Sequence, residues 1–274
     1  MPNPSVLYPF EQVKPVAIPA EIDYPESDGK PLGETDLHVT VILYLRQALR
    51  HFFRQVDNIY VAANNLFYYE EGNAQIFVSP DVYVVKGVPK HDRRIYKLWE
   101  EGAAPCVVFE ITSRSTRRED LGDKRALYEM LGVQEYFLFD PEGDYLKPQL
   151  QGFRLLDDFY TPIPHDPNGA VYSEELDLVL RPEYHLLRLW DPETGQALPT
   201  LDEAVEEIAE ALERAEAEAQ RAEAEAQRAE AEAQRAEAEA QRAQAEAQRA
   251  DSAEAQVARM RAELEELRRR LASK

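Results

Sequence analysis

The sequence is short of cysteine. Cys106 is the single one in 274 residues, so no intrachain disulfide can form. No Cys/His cluster is present either, which removes a structural zinc site. Long apolar runs are missing as well: nothing approaches the roughly 18 residues of a membrane span. No basic segment followed by an apolar run opens the chain, so the expected location is cytoplasmic, with no membrane partner. Positive charge is scarce. Against 31 Lys and Arg stand 52 Asp and Glu, a formal net charge of -21. That balance excludes a protein that grips nucleic acid by a generally basic surface and leaves room only for a local basic cleft. Proline and glycine vanish after Pro199, and with them the residues that most readily stop a helix.

Two apolar, β-branched runs each carry one acid. Ser79-Pro-Asp-Val-Tyr-Val-Val holds Asp81, and Pro105-Cys-Val-Val-Phe-Glu-Ile-Thr-Ser holds Glu110. Each run reads as a buried strand. A carboxylate there shifts its pKa, finds a cation or binds a metal. Between the second run and the next strand, the spacing predicts a helix over 120–131 with Leu121, Leu127, Tyr128 and Leu131 on one face. Lys124 falls near the middle of that face, with Asp120 one turn before it, and Gly132 ends the helix. A lysine aimed at a core needs a carboxylate nearby. Asp120 alone is the plain candidate; Asp81 and Glu110 are the sharper one.

Residues 1–31 are a proline-rich arm. From Thr35, a plausible N-cap, an apolar stripe of Leu37, Val41, Leu45, Leu49, Phe52 and Phe53 predicts a helix. Glu34 and His38 stand four apart at its start, and the plain reading is a favourable acid beside a surface histidine. Short β-rich runs fill 58–85 and, after a βαβ unit ending in Glu135–Asp140, also 145–190. Two basic groups adjoin the acidic strands. One includes Lys90, Arg93 and Arg94 after the Asp81 run; the other is Arg114, Arg117 and Arg118 after the Glu110 run. Each is a solvated loop or a phosphate-facing patch. The domain over 32–195 is therefore expected to be α+β, or mixed α/β. Over 200–274 the unit Arg-Ala-Glu-Ala-Glu-Ala-Gln recurs from Arg214 with a period of seven. Ala219, Ala222, Ala226 and Ala229 give a weak heptad seam, with Leu201, Val205, Ile208 and Leu212 before it and Val257, Met260, Leu264, Leu267 and Leu271 after it. The expectation is one long helix, as a coiled coil joining copies of the chain or as a solvated single helix.

Several segments, in this order, carry a likeness: Ser79-Pro-Asp-Val, Asp92-Arg-Arg, Tyr96-Lys-Leu-Trp-Glu-Glu-Gly, Val108-Phe-Glu-Ile-Thr-Ser, Ser115-Thr-Arg-Arg-Glu-Asp, Lys124-Arg-Ala-Leu-Tyr and Glu135-Tyr-Phe-Leu-Phe-Asp-Pro. Over roughly 32–190 the chain resembles the Uma-two family of the PD-(D/E)XK restriction-endonuclease-like superfamily. The resemblance implies a mixed sheet flanked by helices and a metal-dependent endonuclease acting on nucleic acid, DNA foremost. It implies Asp81 and Glu110 as metal carboxylates for Mg²⁺ or Mn²⁺, with Glu34 as a further acid. The superfamily's lysine falls at Thr112 here, so Lys124 is expected to replace it from the following helix. The alternatives are a catalytically silent nuclease-like module with an assembly tail, and a structural ion network of Asp81, Glu110, Asp120 and Lys124.

Overall fold

The computed structural model describes residues 22–29 and 34–272, without the side chains of 270–272. Most of the proline-rich arm lies outside the described residues. The first helix, α1 (Asp36–Phe52), starts where the side chain of Thr35 accepts the backbone N–H of His38 at 3.3 Å. Val41, Leu45 and Leu49, at four-residue steps, make its fully buried stripe. Five strands follow: β1 (Ile59–Ala62), β2 (Phe67–Tyr68), β3 (Phe77–Val78), β4 (Val82–Lys86) and β5 (Tyr96–Lys97). After the short α2 (Leu98–Glu101) come β6 (Val107–Ile111), α3 (Arg117–Glu119), a π-helical turn (Asp120–Lys124), α4 (Arg125–Met130) and β7 (Glu135–Phe139). The helix expected over 120–131 is thus irregular in its first half. Gly132, at φ +76°, ends it as expected.

With β8 (Leu150–Leu156) and β9 (Phe159–Pro162), a six-stranded mixed sheet forms in the order β1-β4-β6-β7-β8-β9. β4 runs antiparallel to β6, while β6 and β7 are parallel, the two strands of the βαβ unit. A second antiparallel sheet joins β10 (Val171–Ser173), β11 (Leu178–Glu183), β12 (Leu186–Asp191) and β13 (Gln196–Ala197). The small sheet β3-β2-β5 completes the α+β fold.

Alternation along the central strands builds two cores. Val82, Val84, Val107, Phe109 and Ile111 cluster with the α1 stripe and with Leu178, Leu180, Leu187 and Leu189 of the second sheet. Tyr83, Val85, Val108, Tyr136 and Leu138 cluster with Tyr128 of α4. Cys106 is a buried thiol, as expected, pushed up to about 12 by burial.

The chain divides into two units at the Asp202–Glu203 peptide. Helix α5 (Leu201–Ala272), whose first two residues belong to the first unit, runs through the second; it is 72 residues long, or about 100 Å at ~1.5 Å per residue. Its side chains from Val205 to Arg269 are exposed. Hydrogen bonds such as Gln227 to Glu223 and Gln234 to Glu230 run within the helix, four residues apart.

Candidate active site

The parity of β6 decides where Glu110 points. Its neighbours Phe109 and Ile111 face the α1 side, so Glu110 faces the α4 side, together with Val108. There it is 1% exposed, and each oxygen has a partner. Lys124 Nζ donates to Oε2 at 2.7 Å, and the Tyr128 hydroxyl donates to Oε1 at 2.7 Å. Lys124 Nζ also stands 3.2 Å from Asp120 Oδ1. The lysine therefore bridges two buried acids. Burial, opposed by the Lys124 charge, pushes the Glu110 carboxyl above its ordinary value. Burial also raises Asp120. For Lys124 burial works the other way, yet Glu110, Asp120 and Asp81 together hold the ammonium above its ordinary value.

Asp81 immediately precedes β4 instead of lying within it. The ladder pairs Val82 with Phe109 and Tyr83 with Val108, so one further step sets Asp81 beside Glu110. Its Oδ2 accepts the Ile111 backbone N–H at 2.6 Å and lies 3.4 Å from His38 Nε2. His38 in turn is 4.0 Å from Glu34. His38 is buried, contrary to the surface position its sequence suggested, because the first turn of α1 lies over the end of β4. A cleft of about 620 Å³ opens on this group, lined by Glu34, His38, Asp81, Glu110, Lys124 and, at its rim, Arg114. Ser113, Ser115 and Thr116 add hydroxyls beside them. Thr112 is buried, and its hydroxyl has no hydrogen-bond partner among the described residues.

The two basic groups part company. Lys86 ends β4 and Asp81 precedes it, so the strand carries residues 86–97 to the far end of the sheet. Lys90 Nζ donates to the carbonyls of Phe53 and Arg54 at the end of α1. Arg93 forms a fork with Glu101, at 2.5 and 2.8 Å, and its guanidinium covers the Tyr60 ring at 4.3 Å. Arg94 pairs with Glu26. These three are occupied structurally, away from Asp81. The second group follows β6 at the site end: Arg114 lines the cleft, and Arg117 and Arg118 are exposed on α3.

Sequence reasoning missed Tyr128 as a partner of Glu110 and counted it only as core. The available signal was a hydroxyl-bearing residue in a stripe otherwise made of leucine.

The donor set suits a hard divalent cation. Carboxylates converge in excess of the cations beside them, and a carboxylate offers about four acceptor positions, so Glu110 keeps capacity beyond Lys124 and Tyr128.

Residues 10–183 match the family Uma2, described as "Putative restriction endonuclease". No curated protein matches the sequence. Among the solved structures that match is a protein described as a putative nuclease from Anabaena variabilis ATCC 29413. It has 13% identity and a TM-score of 0.40, over 52% of this chain and 75% of that one. Among the described residues no helix is long and apolar enough to cross a membrane.

Proposed function

The chain belongs to this restriction-endonuclease family, and from that premise we propose that it is a divalent-metal-dependent endonuclease hydrolysing phosphodiester bonds of DNA. The observation that carries the reading is the buried carboxylate of Glu110, held between Lys124 and Tyr128 beside Asp81 in an open cleft. Asp81 and Glu110 would hold the ion, which supplies Lewis acidity to the phosphate and a more acidic water. Tyr128 fixes the rotation of the Glu110 carboxylate. The Lys124 ammonium, kept charged by its acidic neighbours, steadies negative charge developing on the phosphate oxygens. Arg114 at the rim, with Arg117 and Arg118 beyond it, supplies the local positive charge that a backbone phosphate needs in so acidic a chain.

The tail fits self-association. Leu201, Val205, Ile208 and Leu212 at one end of α5, and Val257, Met260, Leu264 and Leu267 near the other, are exposed apolar residues at three- and four-residue steps. A second copy of the chain is the partner that carries the same pattern, and pairing would bring two sites to one duplex.

The test is cleavage of supercoiled DNA, single-stranded DNA and RNA by the full chain with Mg²⁺ or Mn²⁺. Cleavage of DNA by the wild type and none by Asp81→Ala is the expected result. Metal binding without cleavage of any substrate would instead favour a silent nuclease-like module, a reading that Thr112 in the superfamily's lysine position supports.

A further inference from the structure

One group at the site has no role in the chemistry above. His38 is 9% exposed, and its Nε2 makes no hydrogen bond among the described residues. That nitrogen nevertheless faces two carboxylates, 3.4 Å from Asp81 Oδ2 and 4.0 Å from Glu34 Oε1. One ligand atom from each of the three lies within 4.8 Å of the others. Two atoms bound to one ion at ~2.1 Å and at right angles stand about 3.0 Å apart. The His38–Asp81 separation is already near that value. Glu34 lines the same cleft with a side chain 23% exposed.

The backbone fixes two of the three donors. Thr35 accepts the His38 N–H and locks the first turn of α1. The Ile111 N–H anchors Asp81 Oδ2 and sets the plane of that carboxylate. A buried imidazole nitrogen held in this way either pairs with Asp81 as a plain ion pair or gives its lone pair to a cation that the acids share.

We propose that Glu34 and His38 join Asp81 in holding the ion beside Glu110, as a mixed nitrogen–oxygen site, and that it takes a first-row transition ion such as Mn²⁺ in preference to Mg²⁺. The proposal rests on the nuclease reading and deepens it by naming the class of cofactor. Magnesium favours an all-oxygen shell and gives up its waters reluctantly. An imidazole ligand adds little to its binding. The same nitrogen strengthens binding of first-row ions, whose affinity for such sites rises along the series from Mn²⁺.

Pulsed EPR of the full chain loaded with Mn²⁺ reads this directly, because a coordinated imidazole imprints ¹⁴N modulation on the manganese signal. Calorimetry with Mn²⁺ and Mg²⁺ on the wild type and His38→Gln supplies the selectivity. Nitrogen modulation in the wild type, lost in His38→Gln, is expected. That variant should bind Mn²⁺ about tenfold more weakly or worse, with Mg²⁺ binding little changed. Circular dichroism checks that the variant is folded; should it not be, the wild-type spectrum alone decides. Bound Mn²⁺ without nitrogen modulation overturns the assignment, as does an equal loss for both ions. Full cleavage with Mg²⁺ and no nitrogen coupling would sink this site and leave the endonuclease standing. Nitrogen coupling without cleavage of any nucleic acid would do the reverse.

Discussion

The two ends of β4 solve opposite electrostatic problems. At the Lys86 end, charge is matched: Arg93 is 4% exposed in its side chain, forked onto Glu101 and stacked over Tyr60, and Lys90 satisfies two carbonyls at the end of α1. At the Asp81 end, charge is unmatched. Glu110 and Asp120 are raised by burial, Lys124 is shared between them, and His38 Nε2 has no hydrogen bond among the described residues. Matched buried ions describe a fold that has settled; surplus carboxylates around a cleft are the pattern of a functional site. Position along one five-residue strand separates the two.

The sharpest break of this comparison is in activity. Asp81→Ala, which removes a carboxylate that would hold the ion, and Lys124→Ala, which removes the charge facing the phosphate, should each lower cleavage by at least about 10²–10³-fold, the size expected when one stabilising group of a transition state is lost. Arg93→Ala should leave the rate per folded molecule unchanged. Steady-state cleavage beside a denaturant titration separates the two outcomes.

Stability should respond in the opposite sense. Arg93→Ala strands Glu101, whose side chain is 21% exposed, and should cost about 2–4 kcal/mol in urea unfolding. Asp120→Asn removes a buried carboxylate and should raise the stability of the metal-free protein by about 1 kcal/mol, or roughly 2–4 °C. A fall on that substitution would mean that the acidic end is as well matched as the other.

The Arg93 fork also predicts a pH dependence. Its hydrogen bonds to Glu101 hold that carboxyl below its ordinary value of 4.5. The folded pKa lies below the unfolded one, so this stabilisation is fully present above pH 4.5 and lost as pH falls through the folded value. The gap between wild type and Arg93→Ala should therefore close in acid. A gap that stays constant down to low pH would remove the electrostatic account.

The smallest effect is reserved for the tail. Truncation after Asp202 keeps Leu198, whose carbonyl accepts the Tyr44 hydroxyl at 3.0 Å, and should leave a folded unit of lower oligomeric state. Light scattering that finds the full chain monomeric at micromolar concentration would assign α5 to a solvated spacer.

Much of this was readable in the residues. Two acids inside β-branched runs and a lysine within an apolar helical stripe are local anomalies, and local anomalies survive without coordinates. The long helix was equally plain from its composition and its lack of glycine and proline. The rest depended on contacts distant in the chain. His38 looked like a surface residue because its burial is supplied by Asp81, which lies 43 positions on. The basic stretch after Asp81 is adjacent in sequence but is carried away by an extended strand, at about 3.3 Å per residue. Nothing in Asp-Leu-Gly-Asp-Lys announces a π-helical turn.

That turn has a consequence of its own. A π turn holds about one residue more than an α turn, so each of its residues advances the side-chain direction by less than the roughly 100° of an α-helix. Asp120 opens the turn, Lys124 closes it and Tyr128 follows one turn on; Lys124 and Tyr128 both reach Glu110, while the Asp120 carbonyl accepts the Tyr136 hydroxyl. Gly122 and Asp123 between them are exposed, and a methyl group added at Gly122 would meet no atom within 4 Å. Side-chain changes at either position are therefore open, and removing one of the two would take out the extra residue of the π turn, letting the segment close as an ordinary α-helix with Lys124 and Tyr128 still on the side of Asp120.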